Sequence, residues 1–209
     1  FHHLVRTVPG KGRLVVNARD EALQRVLTRG CWSEVVRFGA LREEPGALRA
    51  RGEPHAFDVL RGSLKIGRVE WPLQGEHNQL NALAAIAAAE HAGVAPEAAA
   101  ASLARFRNVK RRMELVGEAA GVAVYDDYGH HPVEIAAVLE AARAGAPGRV
   151  VAVVEPHRYT RVRDLFEEFA LSFRDADTVI VAPLYSAGEA PIEGIDHAAL
   201  ARAIRAAGH

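Results

Sequence analysis

The chain has little of what would suit it to an extracellular, membrane or nucleic-acid role. Among its 209 residues there is one cysteine, Cys31, so no disulfide can close within the chain. That usage fits a reducing cytoplasm and excludes a zinc site built on several thiolates. Net charge is absent as well: 26 Lys and Arg stand against 26 Asp and Glu. No overall field therefore draws the chain to nucleic acid or an anionic membrane, although Arg158, Arg161 and Arg163 form a local basic cluster suited to an anion. Long apolar runs are missing, none approaching the ~18–20 residues of a membrane span, and no signal-peptide pattern opens the sequence. A phosphate loop is missing too. Gly10-Lys11-Gly12 lacks the Gly-x4-Gly-Lys-Ser/Thr spacing, which occurs nowhere in the chain, and reads as a basic turn. There is no initiator methionine; Phe1-His2-His3-Leu4-Val5-Arg6 reads like the end of a helix, so a fragment of a longer protein is expected.

What is present is the composition of a globular chain, 49% hydrophobic, with a length that suits one or two domains. The pattern changes near residue 110. Before it, Arg13–Asn17 and Glu34–Phe38 read as strands, Asp20 as the cap of a helix over Glu21–Leu27, and residues 55–60 and 63–73 as a hairpin about Arg61-Gly62 that Gly67 interrupts. A helix over His77–Ala92 ends at Gly93, and another starts at Pro96 and runs to Phe106. Trp32 and Trp71 read as core.

After residue 115 the pattern predicts strand–helix repeats: a strand over 121–126 and helix over 132–144, a strand over 149–155 and helix over 160–173, a strand over 178–182 and helix over 197–207. Val162, Leu165, Phe166, Phe169 and Phe173 share one face of the middle helix. Such alternation predicts an α/β fold with a parallel sheet. Ligands of open parallel sheets bind beyond the carboxyl ends of the strands. Here those ends carry Asp126-Asp127-Tyr128, Glu155-Pro156-His157-Arg158 and Tyr185-Ser186-Ala187-Gly188-Glu189, predicted to gather on one rim able to bind a ribose, a phosphate and a small carboxylate.

Gly75-Glu76-His77-Asn78-Gln79-Leu80-Asn81-Ala82 opens the Ala-rich helix. Asn78 and Asn81 share a face of its first turn, and a carboxamide that both donates and accepts suits the edge of a purine. The alternative is that one caps the helix and the other faces water. His130-His131 beside Asp126-Asp127 resembles a metal cluster, but adjacent side chains diverge and no third ligand at a suitable offset accompanies them, so no metal ligands are assigned. Cys31 has no basic neighbour in sequence to activate it.

Gly75-x-His77-Asn78-x-x-Asn81-Ala82, Arg111-Arg112-x-Glu114, Asp126-Asp127-Tyr128-x-His130-His131-Pro132 and Pro156-His157-Arg158-Tyr159-Thr160-Arg161 resemble the Mur ligases, which activate the carboxylate of UDP-N-acetylmuramic acid. From about Gly117 onward the likeness is to the members that add L-alanine. Upstream, Phe1–Arg6, Gly30–Glu34 and Asn108–Arg112 resemble the members that add the L-Ala-γ-D-Glu-meso-diaminopimelate tripeptide. The resemblance implies that residues 1–111 are the rear part of a central ATPase domain and residues 112–209 a Rossmann-like carboxy-terminal domain with a mostly parallel sheet. It further implies that Asn78 and Asn81 bind adenine, Arg112 lies near the phosphates, and Asp127 meets the ribose. Tyr128, His130, His157, Arg158 and Arg161 would meet the amine substrate, with Arg112 and His130 catalytic. ATP and Mg2+ are the implied cofactors, the phosphate loop and the metal ligands being expected upstream. The implied activity is amide formation through an acyl phosphate in peptidoglycan synthesis, with L-alanine as first choice of amine and the tripeptide as second. A reading from another class is a nucleotide-binding module without catalysis.

Overall fold

Helix α1 (His2–Thr7) leads through a turn, in which the Gly12 N–H donates to the Pro9 carbonyl at 2.7 Å, into strand β1 (Arg13–Asn17). Asp20 then starts helix α2 (Glu21–Thr28) by accepting the Leu23 N–H at 3.0 Å, satisfying one of the donors a helix start leaves unpaired. The computed structural model describes all residues, 1–209, as two compact units, Phe1–Arg107 and Asn108–His209.

In the first unit, β1, β2 (Glu34–Phe38), β3 (Leu48–Glu53), β4 (Ala56–Arg61) and β5 (Leu64–Glu70) form one sheet in chain order. The first three strands run parallel and the last three antiparallel. The hairpin about Arg61-Gly62 is there, and β3 extends it to three strands. Helices α3 (Glu76–His91) and α4 (Pro96–Ser102) cover the sheet, burying Leu83, Ile86, Ala87 and Ala100 with Phe57, Val59 and Val69. Gly67 allows this approach, since a Cβ there would lie 2.8 Å from the Ala100 Cβ. Helix α3 ends in a Schellman turn: Gly93, at φ +89°, donates to the Glu90 carbonyl and Val94 to that of Ala89. Trp71 is buried, its Nε1 donating to the Pro54 carbonyl. Trp32 is not core: it is 64% exposed, its ring lying over the backbone of Gly30 and 6.4 Å from that of His2 on α1.

Glu90, in the last turn of α3, accepts from both terminal nitrogens of Arg61 at 2.8 and 2.7 Å, with Arg13 at 3.6 Å. The Arg61 hydrogen bonds, against the opposing effect of burial, hold its carboxyl below the ordinary 4.5. A folded value below the unfolded one gives stability that is complete above the unfolded value and is lost as pH falls through the folded one. Glu90→Gln is therefore expected to destabilise the chain by about 1–2 kcal/mol at neutral pH, and urea unfolding on descending pH should show the gap to wild type closing below about pH 4. A gap that stays constant to pH 2–3 would refute the ionic origin.

In the second unit, β6 (Glu114–Ala119) and β7 (Val122–Asp126) form an antiparallel hairpin. The strand over 121–126 was expected in the parallel sheet. It lies instead in this ribbon because Ala120 and Gly121 both take positive φ, 51° and 77°, as a two-residue hairpin turn requires. Helix α5 (Pro132–Gly145) follows, then β8 (Val151–Val154), α6 (Tyr159–Asp164), α7 (Phe166–Leu171), β9 (Thr178–Val181) and α8 (His197–Ala206). Strands β8 and β9 pair in parallel from Val151↔Thr178 to Val154↔Val181. The helix expected over 160–173 is broken at Leu165, whose φ of −125° and ψ of 29° leave the helical region. Its apolar face survives the break, Val162, Phe169 and Phe173 being buried with Leu200 and Ile204. No helix is long and apolar enough to cross a membrane.

Candidate active site

Asn78 and Asn81 lie in the first unit, on α3. That helix begins at Glu76 after Gly75, so Asn78 is in its first turn and Asn81 in its second, one turn later than expected. Neither caps it. The Asn78 Nδ2 donates to the Gln74 carbonyl at 2.8 Å, while Asn81 is exposed. The amide that is buried is the one between them, Gln79, whose Nε2 donates to the Gly52 carbonyl at 3.2 Å. Glu76 is held by Arg19 at 2.7 Å.

The other seven predicted residues belong to the second unit, in two groups. The first surrounds Asp127. One carboxylate oxygen accepts the Met113 N–H at 2.9 Å and the other the Gly129 N–H at 2.7 Å, tying the segment before β6 to the loop after β7. Tyr128 donates its N–H to the Arg111 carbonyl, and the Arg111 guanidinium lies 4.9 Å over the Tyr128 ring while its Nε donates to Asp126 at 3.1 Å. The His130 Nδ1 is 3.1 Å from the Tyr128 carbonyl. A carbonyl can only accept, so Nδ1 carries the proton and Nε2 remains available.

Glu134 completes this group. It accepts the N–H groups of His130 and His131 at 3.0 and 3.2 Å, while the His131 Nδ1 accepts from Val133, a capping box with histidine in the usual Ser/Thr place. Burial works to raise the Glu134 carboxyl, but the two N–H groups, with the charge of Arg112 adding to them, outweigh it and hold the carboxyl below its ordinary value. Arg112 is exposed. Sequence reasoning gave Arg111 no role beyond its place in the Arg111-Arg112-x-Glu114 motif and did not single out Glu134. The three-residue offset of Glu134 from His131 was the available signal for the second.

The second group joins the ends of β8 and β9. His157 bridges to Tyr185 in parallel register; the Tyr185 N–H donates to the Pro156 carbonyl and the Arg158 N–H to that of Tyr185. The rings of His157 and Tyr185 are 5.0 Å apart, and the His157 Nε2 is 3.0 Å from Glu155. Arg158 caps α6 with φ 68° and ψ 122°, a conformation that costs a non-glycine residue about 1–3 kcal/mol and persists where the surroundings over-determine it. The Arg161 Nη1 reaches back to the His157 carbonyl at 3.5 Å. Thr160 donates its N–H and hydroxyl to the two Glu189 oxygens, at 3.0 and 2.8 Å.

Of the three strand-end clusters expected on one rim, hydrogen bonds and ring contacts join the second to the third. None joins the first to either, because β7 pairs within its hairpin and not with β8.

The sequence signature of the Mur ligase middle domain matches residues 1–89, and that of the Mur ligase glutamate ligase domain residues 111–209. The chain belongs to the Mur ligase family. A UDP-N-acetylmuramate–L-alanine ligase of Methylobacterium sp. (strain 4-46) is 59% identical over the whole chain, which covers 46% of that relative. One from Phenylobacterium zucineum is 61% identical over 66% of the chain and 29% of its own length. A murein peptide ligase from Psychrobacter arcticus aligns in structure with TM-score 0.64 at 32% identity, covering 87% of this chain and 39% of that one. The fold is also that of a UDP-N-acetylmuramate–alanine ligase from Thermotoga maritima, TM-score 0.66 at 21% identity over 99% of this chain and 51% of that one. This Mur ligase sequence thus spans about half or less of the length of these relatives. Likeness to an L-alanine ligase runs through its first unit as well as its second.

Proposed function

We propose that the chain supplies the rear of the nucleotide-binding part, residues 1–111, and the amine-binding part, residues 112–209, of a cytoplasmic ATP-dependent ligase of peptidoglycan synthesis. The ligase joins the carboxylate of UDP-N-acetylmuramic acid to L-alanine. The observation that carries this reading is the 59% identity, along the whole chain, to a relative named for that reaction. The activity is that of a protein of the relatives' length.

In this reading the exposed carboxamide of Asn81 and that of Asn78 meet the adenine edge, Asp127 the ribose and Arg112 the phosphates. ATP converts the sugar carboxylate to an acyl phosphate, and the amine of L-alanine displaces phosphate to form the amide. Bringing anionic groups together requires cationic charge to offset their repulsion, a role for Arg112. Arg158 and Arg161 hold the α-carboxylate of L-alanine in a bidentate clamp beside His157, and Tyr128 is assigned to the same substrate. The His130 Nε2 takes the proton that the ammonium must lose before attack.

Four carboxylates around the candidate site do not fit magnesium. Asp126 is held by Arg111, Asp127 and Glu134 each accept two backbone N–H groups, and Glu189 is taken by Thr160. No step is assigned to a metal held by them.

The second reading, addition of the tripeptide, is favoured by the 32% identity to the murein peptide ligase structure. Substrate comparison separates the two. L-alanine presents a carboxylate next to its reacting amine, whereas in the tripeptide that position is an uncharged amide. In a ligase of the relatives' length that carries this sequence, L-alanine amide should be poorer than L-alanine by about 2–3 kcal/mol in kcat/KM, and Arg161→Lys should weaken L-alanine use although the charge is kept. Initial rates with L-alanine, its amide and L-Ala-γ-D-Glu-meso-diaminopimelate decide it: preference for the tripeptide, with indifference to Arg161→Lys, would replace the L-alanine assignment.

A further inference from the structure

Tyr185-Ser186-Ala187-Gly188-Glu189 has a sequence as distinctive as the arginine turn, yet Glu189 has no part in the chemistry above. Its surroundings give it one. Ala187 and Gly188 take positive φ, 51° and 86°, and the Glu189 N–H donates to the Ser186 carbonyl. This tight turn delivers the Glu189 carboxylate to the start of α6. There one oxygen accepts the Thr160 N–H and the other its hydroxyl, and Oε1 stands 3.9 Å from the Arg158 Nη1. The side chain is mostly covered, at 22% exposure. The Thr160 N–H, then its hydroxyl, hold the carboxyl below its ordinary value against the effect of burial, so it is ionised at neutral pH.

The carboxylate therefore grips the residue two beyond Arg158, whose backbone is in a conformation that nothing local favours. On the other side, the Arg158 N–H is fixed to the Tyr185 carbonyl. The strained residue is held from both directions by the segment 185–189, and the grip lies within the four residues that carry Arg158 and Arg161.

We propose that Glu189 is a positioning residue for amine recognition: by fixing Thr160 it holds the Arg158–Arg161 turn in the form that presents both guanidiniums to the carboxylate of the amine substrate. The inference rests on the L-alanine reading. It makes a claim of sign. If Glu189 were only a negative charge near Arg158, it would compete with the substrate carboxylate, and neutralising it would tighten L-alanine binding. If it positions the turn, neutralising it releases the strained residue and weakens binding.

The test is steady-state kinetics in a ligase of the relatives' length carrying this sequence, comparing wild type, Glu189→Gln and Thr160→Val. Glu189→Gln should raise KM for L-alanine about 5–20-fold with kcat within about threefold and KM for ATP unmoved, the signature of lost binding without lost chemistry. Thr160→Val keeps the N–H and β-branch but removes the hydroxyl, and should shift the same constant in the same direction by about 2–5-fold. It carries the decision if Glu189→Gln fails to fold. A KM for L-alanine that is unchanged or lowered in the folded variant, or a kcat loss shared by all substrates, overturns the proposal. Wild type that shows no L-alanine-dependent phosphate release would instead bring down the L-alanine reading and this inference with it. Wild type that turns over with L-alanine, alongside a Glu189→Gln variant of equal KM, brings down the inference alone.

Discussion

Residues 1–209 alone, given ATP, Mg2+, UDP-N-acetylmuramic acid and L-alanine, should release no phosphate above the blank. Transfer of a γ-phosphoryl group depends on a cradle of backbone N–H groups and a lysine around the β- and γ-phosphates, with metal charge neutralising what develops between them. The Gly-x4-Gly-Lys-Ser/Thr segment that builds such a cradle is not among these residues, and the carboxylates near the candidate site are already engaged by Arg111, backbone N–H groups and Thr160. Two asparagines on a helix can hold a base but cannot activate a triphosphate. A coupled phosphate assay with and without L-alanine measures this directly. Sustained, amine-dependent release by the pure chain would overturn the domain assignment, because the catalytic phosphate site would then have to lie within these residues.

The second large effect concerns the core beneath the arginine turn. Phe169, 1% exposed on α7, packs with Val162, Phe173, Leu200 and Ile204. Truncating a buried phenylalanine removes its transfer free energy and leaves a cavity, together about 3–5 kcal/mol. Phe169→Ala should lose that much in urea unfolding, a large share of the total stability of a domain of this size. Because α6 runs into α7 at Leu165, the same substitution should loosen the turn that carries Arg158 and Arg161. A loss below about 1 kcal/mol would mean the site can collapse around the missing ring.

What could be read in the sequence follows from where local signals decide structure. Arg13–Asn17 and Glu34–Phe38 are strands to the residue, Asp20 caps as its type suggests, and Gly93 ends α3 in a left-handed turn. Strand β3 was not foreseen because Leu-Arg-Ala-Arg-Gly-Glu holds no β-branched or aromatic residue; it is a strand because six of its residues pair with β4. The place of β7 was misread for a related reason. An apolar run looks the same in a parallel sheet and in a ribbon, and the Ala120-Gly121 turn that decides it is a weak signal. Hence Pro156–Arg161 meets Tyr185–Glu189, as equivalent strand ends should, and Asp126–Tyr128 does not join them. The three-residue offset of Glu134 from His131 did carry a signal, whereas the contact of Glu189 with Thr160 is made by side-chain reach across 29 residues, and spacing alone carries no record of that.

Glu90 has a mechanical consequence. It sits in the last turn of the helix whose opening turns hold Asn78 and Asn81, and it is clamped by Arg61 from β4 and approached by Arg13 from β1. Sliding or rolling that helix along the sheet would tear this junction, while Gly67 and Ala100 leave no slack where the next helix touches β5. Any movement that carries the two asparagines must therefore carry the five strands with them, as a lever that pivots without bending.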